Sequence, residues 1–203
     1  MPVKKDADWC LSPPPKDITA PGHFKARSLP NMDASSQFKD SLPTAPETVM
    51  DCLGQLGIDY NAHNHPPLRT VEESKAYRGN MPGLHIKNLY LRDHKKRNFL
   101  LVAQEDRAVD LKAVQAMIGC DRLSFGSAAR LMEMLGVRPG AVSPLALIND
   151  PTHRVSVLLD NMLQDNARIY AHPLVNDITL GITGAGLVQF LAHTGHVPQW
   201  LDL

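Results

Sequence analysis

The chain has 203 residues, of which 43% are hydrophobic, and its 21 basic residues balance 21 acidic ones. This length and composition predict one domain with a well-buried core and a small appendage. A formal charge of zero argues against a protein that binds nucleic acid through a strongly basic surface, so any RNA contact must come from a local basic patch. No apolar run is long enough to span a membrane, and three widely spaced cysteines without a Cys-x-x-Cys pair favour a reducing compartment, the cytoplasm.

The first 43 residues differ from the rest of the chain. They contain seven prolines and few apolar residues, and they show neither a helical nor a strand period. We therefore predict a flexible or loosely docked N-terminal arm over residues 1–43 and a folded domain over residues 44–203.

The elements of the folded domain can be predicted from capping residues and apolar periods. Strands outnumber helices and do not alternate with them regularly, which predicts an α+β domain with a mixed, curved, barrel-like sheet and helices packed on it. In chain order we expect a helix from Pro46 to Leu56, a strand at 58–65, a helix at 70–79 that begins with a Thr70–Glu73 capping box, a hairpin of 86–91 and 99–102, a helix at 110–118, a strand and helix over 123–135, strands at 145–148, 155–159, 168–171 and 178–182, and a last helix from Thr183.

Lys87 is the residue that stands out in this pattern. It begins an apolar strand, and strict alternation places it on the same face as Leu89 and Leu91. A lysine there either enters a pocket, where it needs an anionic or carbonyl partner, or lies at a sheet edge, where it discourages aggregation. Spacing alone leaves both interpretations open.

Motifs of several other enzyme classes are absent. The sequence contains no phosphate-binding loop, no Gly-x-Ser-x-Gly elbow and no His-Glu-x-x-His motif. The three histidines His63, His65 and His85 lack cysteine or acidic partners at fixed spacing, so we expect no metal. The cysteines Cys52 and Cys120 are interpreted as packing residues rather than nucleophiles. No cofactor is expected.

Five segments of the chain combine into a specific pattern that includes Lys87-Asn88-Leu89 and His172-Pro173-Leu174. The segments are 65–74, 85–91, 123–127, 140–144 and 171–176. Together they resemble the prolyl-tRNA editing family, which comprises the insertion domain of bacterial prolyl-tRNA synthetase and its free-standing relatives. The resemblance extends over about residues 46–200 and is greatest to the free-standing alanyl-tRNA(Pro) deacylases. One departure is Arg168, where the synthetase-type domain has the glycine of a Gly-x-x-x-His-Pro motif.

The resemblance implies an aminoacyl-tRNA hydrolase that needs no metal and acts on alanine wrongly attached to proline tRNA. The family's essential lysine matches Lys87, and Asn88 is expected to orient the ribose or a loop. The same comparison predicts a small apolar pocket that excludes proline. The other residues expected to line this pocket are Leu84, Gly140, Val142, Ser143 and His172.

The turn of the predicted hairpin is the best local basic patch for the acceptor end of tRNA, although a solvated charged turn would look the same. Because the overall charge is zero, we expect only modest affinity for tRNA. A prolyl-tRNA synthetase or an elongation factor is therefore expected as an additional partner that recruits the protein. Two alternatives stay open: editing of cysteine, serine or threonine esters, and a non-catalytic module that binds aminoacyl-tRNA. The residues of the patch are Arg92, Lys95, Lys96 and Arg97.

Overall fold

The computed structural model describes residues 33–68, 70–78, 81–164 and 168–203. Over these residues the chain forms five α-helices and eight strands, so the α+β class is confirmed. The helices are α1 (Pro46–Gln55), α2 (Val71–Arg78), α3 (Leu111–Ile118), α4 (Ala128–Leu135) and α5 (Gly184–His193). The strands are β1 (Asn61–Asn64), β2 (Leu84–Arg92), β3 (Asn98–Gln104), β4 (Ser124–Phe125), β5 (Val155–Asp160), β6 (Ile169–Ala171), β7 (Ile178–Ile182) and β8 (Gln199–Leu201).

The strands form one mixed sheet in the order β1-β7-β6-β2-β3-β5-β8, with β4 paired to the end of β2. The long β2–β3 hairpin is its centre, and its register pairs Lys87 with Ala103 and Arg92 with Asn98. The strands β2 and β6, β3 and β5, and β5 and β8 pair in parallel, whereas the other pairs are antiparallel.

Strand β3 is buried on both faces except at its last residue, and β5 is buried except at Ser156. On one face Leu91, Phe99 and Leu101 pack with Leu158, and this cluster also contains Val114 of α3. The alternate residues of β3 and β5 point to the opposite face and are also buried. Burial on both faces explains why β3 reads as an unbroken apolar run in the sequence.

Helix termini follow the predicted capping chemistry. The Asp110 carboxylate accepts a hydrogen bond from the Lys112 amide at 2.8 Å, and the Thr183 hydroxyl accepts one from the Gly186 amide at 2.9 Å. The Thr70 hydroxyl accepts from the Glu73 amide at 3.1 Å, which is the first half of the predicted capping box.

One expectation about elements was wrong, and one strand was missed. The apolar run 145–148 is a 3₁₀ helix, Pro144–Asn149, and not a strand. It is begun by Ser143 and Pro144, both favoured at helix starts, and a short run that is apolar throughout does not distinguish helix from strand. The C-terminal strand β8 was not predicted; it has only three residues and pairs in parallel with β5.

Residues 1–32 of the predicted arm lie outside the described residues. In its second part, Ser36–Ser41 forms a 3₁₀ helix and Ala34 is buried. The Ser36 amide and hydroxyl both donate to the Asp177 carboxylate, at 2.9 and 2.6 Å. Residues 33–43 therefore pack on the domain.

Candidate functional site

The sheet opens on one side of β2, and this opening creates a pocket. Strand β6 pairs with β2 only at Leu84 and His85, and β4 pairs only at Leu91 and Arg92. In between, no strand of the described residues covers the 86–89 edge of β2. The resulting pocket has a volume of about 330 Å³ and is called here the Lys87 pocket. Its lining includes Leu68, Thr70, Val71, Ser74, Arg78, 85–89, Glu105, Gly140, Val142, 170–172 and Thr179.

Lys87 lies in this pocket with its ammonium anchored. Its Nζ donates to the backbone carbonyl of Arg107, in the turn after β3. Leu89, two residues further along the same face, packs against the apolar cluster that contains Leu91. The carbonyl partner explains how a cation is accommodated beside this apolar face, and an ammonium with three N–H donors keeps two for other acceptors.

Asn88 also lines the pocket. Its Oδ1 atom is buried and has no hydrogen-bond partner among the residues that the structure describes. A buried amide oxygen without a partner is costly in free energy. A donor from a bound molecule would satisfy it.

Asp160 supports the turn that holds Lys87, and the sequence analysis did not identify it. It is completely buried at the end of β5 and accepts hydrogen bonds from the Met162 amide at 3.1 Å and the Gln104 amide at 3.4 Å. The Arg107 guanidinium lies 3.9 Å from the same carboxylate. The signal that the sequence offered for Asp160 was a carboxylate at the end of an apolar strand.

His172 is joined to His65 through Thr179. Its Nδ1 lies 2.8 Å from the Ile178 carbonyl and 3.4 Å from the Thr179 hydroxyl. Because a carbonyl only accepts, Nδ1 carries the proton, and Nε2 of the neutral ring is left as an acceptor. The hydroxyl lies 2.8 Å from His65 Nε2. Burial lowers the pKa of the His172 imidazole, which favours the neutral ring.

The other charged groups of the pocket are paired. The Arg78 guanidinium binds the Glu105 carboxylate through two hydrogen bonds, and both side chains are largely buried. His85 stacks on Tyr170 with ring centroids 4.6 Å apart, and burial lowers the pKa of its imidazole. Lys87 thus differs from Arg78, because its partner among the described residues is a neutral carbonyl and not a carboxylate.

The Ala171–Asn176 segment braces one pocket wall. Asn176, which is 1% exposed, accepts from the Leu68 amide through its carbonyl and donates to the Leu68 carbonyl through its side chain, each at 3.1 Å. The Asn176 amide donates to the Ala34 carbonyl, and the Asp177 carbonyl accepts from the His65 amide. This segment therefore fixes the position of Leu68 as well as that of His172.

The structure brings together five of the seven residues predicted for the catalytic centre and pocket: Lys87, Asn88, Gly140, Val142 and His172. Gly140 has a φ of 94°, a backbone conformation that favours glycine.

The other two predicted pocket residues do not line the Lys87 pocket. Ser143 is fully buried, and its hydroxyl accepts from the Leu145 amide at 3.2 Å as the cap of the 3₁₀ helix. Leu84 pairs with Ile169 before the gap begins.

The basic hairpin turn lies at the other end of β2. Arg92 lies five positions after Lys87, which corresponds to about 17 Å along a strand. Lys95 and Lys96 are exposed, whereas Arg97 is paired with the buried Asp93 carboxylate at 2.7 Å. This turn is too far from Lys87 to contact a group bound there, and a ligand that meets both must be long.

The described residues contain no cluster of side chains suited to metal or thiol chemistry. No group of three His, Cys, Asp or Glu side chains within them is arranged to hold a metal ion. Cys52 is buried in α1, and burial raises the pKa of the Cys120 thiol. No helix in the described part of the chain is long and apolar enough to cross a membrane.

Comparison with known proteins identifies the family. Residues 65–190 match the model of the aminoacyl-tRNA editing domain. The chain is 37% identical over 152 residues to prolyl-tRNA synthetase associated domain-containing protein 1 of Danio rerio, with 74% of this chain and 83% of that protein covered. It is 34% identical over 160 residues to the prolyl-tRNA editing protein ProX of Acetoanaerobium sticklandii, with coverages of 78% and 98%.

A solved structure has the same fold. It is described as a candidate trans-editing enzyme for prolyl-tRNA synthetase and superposes with a TM-score of 0.60 at 21% identity, covering 78% of this chain and 95% of its own. The family match and the sequence relatives together show that this chain belongs to the aminoacyl-tRNA editing domain family.

Proposed function

We propose that this protein is a free-standing hydrolase that removes alanine wrongly esterified to proline tRNA. One observation carries the proposal: in a chain of the editing family, Lys87, Asn88 and His172 line one pocket together with the Gly140 turn. The name of the relative ProX, a prolyl-tRNA editing protein, supports proline tRNA as the substrate class.

The proposed reaction is the hydrolysis of an ester between the amino acid and the terminal ribose. Water adds to the acyl carbon, the bond to the ribose oxygen breaks, and that oxygen leaves with a proton. The Lys87 ammonium has N–H donors beyond the one used by Arg107 and stabilises the negative charge that develops on the carbonyl oxygen. A free ribose hydroxyl of the substrate helps to activate the water.

Asn88 and His172 hold the substrate rather than break the bond. The unpartnered Asn88 Oδ1 is suited to accept from a ribose hydroxyl. His172 Nε2, an acceptor on a neutral ring, is suited to accept from the substrate's α-ammonium. Neither role requires a metal or a covalent intermediate, so a chelator is expected to leave the rate unchanged; inactivation by EDTA that zinc reverses would contradict this.

Selection of alanine is proposed to follow from size. A synthetase pocket built for proline cannot reject the smaller alanine strongly, because each missing methylene changes binding by only ~1–3 kcal/mol. The Lys87 pocket is bounded by Leu68, Val71, Leu89 and Val142, which leave an apolar space for a small side chain. Proline is expected to be excluded by its ring.

The tRNA acceptor end is proposed to extend from the Lys87 pocket to the basic hairpin turn, whose exposed lysines meet its phosphates. Zero net charge supports modest affinity, and we propose that a synthetase or elongation factor in the cytoplasm delivers the substrate.

A panel of esters tests the proposal. Purified protein is incubated with alanyl-, seryl-, cysteinyl- and prolyl-tRNA(Pro), and the release of each amino acid is measured. Rapid alanine release with intact prolyl-tRNA is expected, with some serine release because apolar pockets reject a hydroxyl poorly, by ~10²-fold at best. Preference for cysteine or serine esters would indicate a sister activity, and binding without turnover would indicate a sensor. Rapid cleavage of prolyl-tRNA(Pro) would contradict every editing function.

A further inference from the structure

A second cavity lies beside the Lys87 pocket, between β1 and α2. It has a volume of about 460 Å³ and is called here the histidine cavity, because His63, His65 and His85 line it with Tyr77. The Tyr77 side chain is exposed, and its ring centroid lies 5.8 Å from that of His65. The cavity therefore presents several flat rings to a ligand.

The two cavities share a wall. Both are lined by Leu68, Ser74, Arg78, His85 and Thr179. The two cavities therefore lie side by side, which suits a ligand whose two parts are joined by a short linker. An aminoacyl ester of a nucleoside has this form, since one ribose joins the acyl group to the base.

A buried ring nitrogen in the histidine cavity lacks a partner. His63 Nε2 is buried and makes no hydrogen bond within the described part of the chain. An unsatisfied buried polar atom is costly, and a neutral imidazole nitrogen can either donate or accept. The edge of an adenine base offers both an amino donor and ring-nitrogen acceptors, so it can satisfy either tautomer.

The charge of the histidine cavity fits a neutral base better than a phosphate. Among the arginine, lysine and carboxylate side chains of the described residues, only Arg78 lines it, and Arg78 is bound to Glu105. Burial also lowers the pKa of the His85 imidazole and favours its neutral form. A phosphate would need free cations, whereas a base needs a flat surface and hydrogen bonds.

We propose that the histidine cavity binds the adenine base of the substrate's terminal nucleotide, with Tyr77 as a stacking surface and His63 Nε2 as a hydrogen-bond partner. This inference rests on the proposed function, because it takes an aminoacyl ester as the ligand of the Lys87 pocket. The base fixes the ribose, and the ribose presents the ester to Lys87.

The experiment compares two substrates and three variants. One substrate is an acceptor-stem RNA charged with alanine on its natural terminal adenosine; the other carries alanine on a terminal ribose without a base. His63→Ala and Tyr77→Ala are expected to reduce kcat/KM on the natural substrate about tenfold, mainly through KM, because base stacking and pairing are lost. On the base-free substrate both variants are expected to match the wild type. His193→Ala, an exposed histidine on α5, is the matched control.

Adenosine 5′-monophosphate serves as an independent probe. Binding to the wild type and loss of binding in His63→Ala, with an unchanged circular dichroism spectrum, are expected. Equal rates on the two substrates, or equal losses on both in the variants, would overturn the base subsite while leaving the deacylase function intact. Binding of the nucleotide without hydrolysis of any ester would instead reject the proposed function and leave the base subsite standing.

Discussion

The two ends of strand β2 differ in how they hold charge. At the Lys87 end every described charged group has a partner: Lys87 binds the Arg107 carbonyl and Arg78 binds Glu105. At the hairpin end Lys95 and Lys96 are exposed, and Lys95 makes a 3.4 Å pair with Asp121 on the surface. Fixed charges thus lie around one end of the strand and solvated charges around the other.

This difference separates two tasks that a polyanionic substrate requires. Fixed donors in a partly desolvated site stabilise charge that develops during a reaction, because they need no reorganisation. Exposed lysines contribute long-range attraction that salt screens. Changes at the two ends are therefore expected to alter different kinetic quantities.

The largest effect is expected from Lys87→Ala. Loss of the anchored ammonium removes a donor to the reacting carbonyl, and such losses reduce kcat by about 10²–10³-fold. Single-turnover deacylation of alanyl-tRNA(Pro) measures it. Lys112→Ala, an exposed lysine on α3, is the matched control. A Lys87→Ala rate near that of the control would reject the site.

Breaking the Arg78–Glu105 pair is expected to destabilise the fold. Arg78→Met leaves the nearly buried Glu105 carboxylate unpaired and should lower the free energy of unfolding by about 1–3 kcal/mol. The exposed pair between Lys75, on the same helix, and Asp106 is the comparison, and Lys75→Met should cost clearly less because solvent screens this pair. Urea denaturation measures both, and equal losses would show that burial does not distinguish the pairs.

Removing the exposed hairpin charges is expected to weaken tRNA binding without slowing chemistry. The Lys95→Ala/Lys96→Ala variant should raise KM for full-length alanyl-tRNA(Pro) about tenfold, leave kcat unchanged, and reduce the salt dependence of binding by about two phosphate contacts. Alanyl-adenosine, which ends before the hairpin, should be hydrolysed as by the wild type. A lower kcat on that short ester would show that the ends of β2 are coupled.

The smallest effect is expected from pH. Burial lowers the pKa of His85 and His172 below that of an unfolded histidine, about 6.5. The unfolded chain then binds more protons, so stability from these groups is present above pH 6.5 and is lost as pH falls through their folded pKa values. Thermal unfolding at pH 7.5, 6.5 and 5.5 measures this, and His172→Asn should show a flatter dependence. A midpoint that rises on acidification would contradict it.

Local chemistry made much of the fold predictable. The capping residues Thr70, Asp110 and Thr183 mark helix starts because their side-chain oxygens accept from free amides of the first turn. The hairpin was predictable because two apolar runs flank a polar turn. Its register, with Lys87 opposite Ala103, was not predicted.

Fully buried segments were the least predictable. Residues 144–147 are buried among other elements, so their apolar character reports burial and not backbone conformation. The same burial converts Ser143 from a predicted pocket donor into a helix cap. Asp160 was missed because its hydrogen bonds to Gln104 and Met162 depend on how β5 and β3 are placed side by side.

The sequence by itself determined the helix starts, the hairpin, the α+β class and the choice of Lys87 as a candidate site residue. These depend on neighbouring residues and on residue types. Tertiary structure decided which groups meet. The pocket exists because β6 and β4 leave the 86–89 edge of β2 uncovered, and His172 joins His65 through Thr179 only after β7 pairs with β1 and β6. Such contacts join residues that are far apart in the chain, so no local pattern specifies them.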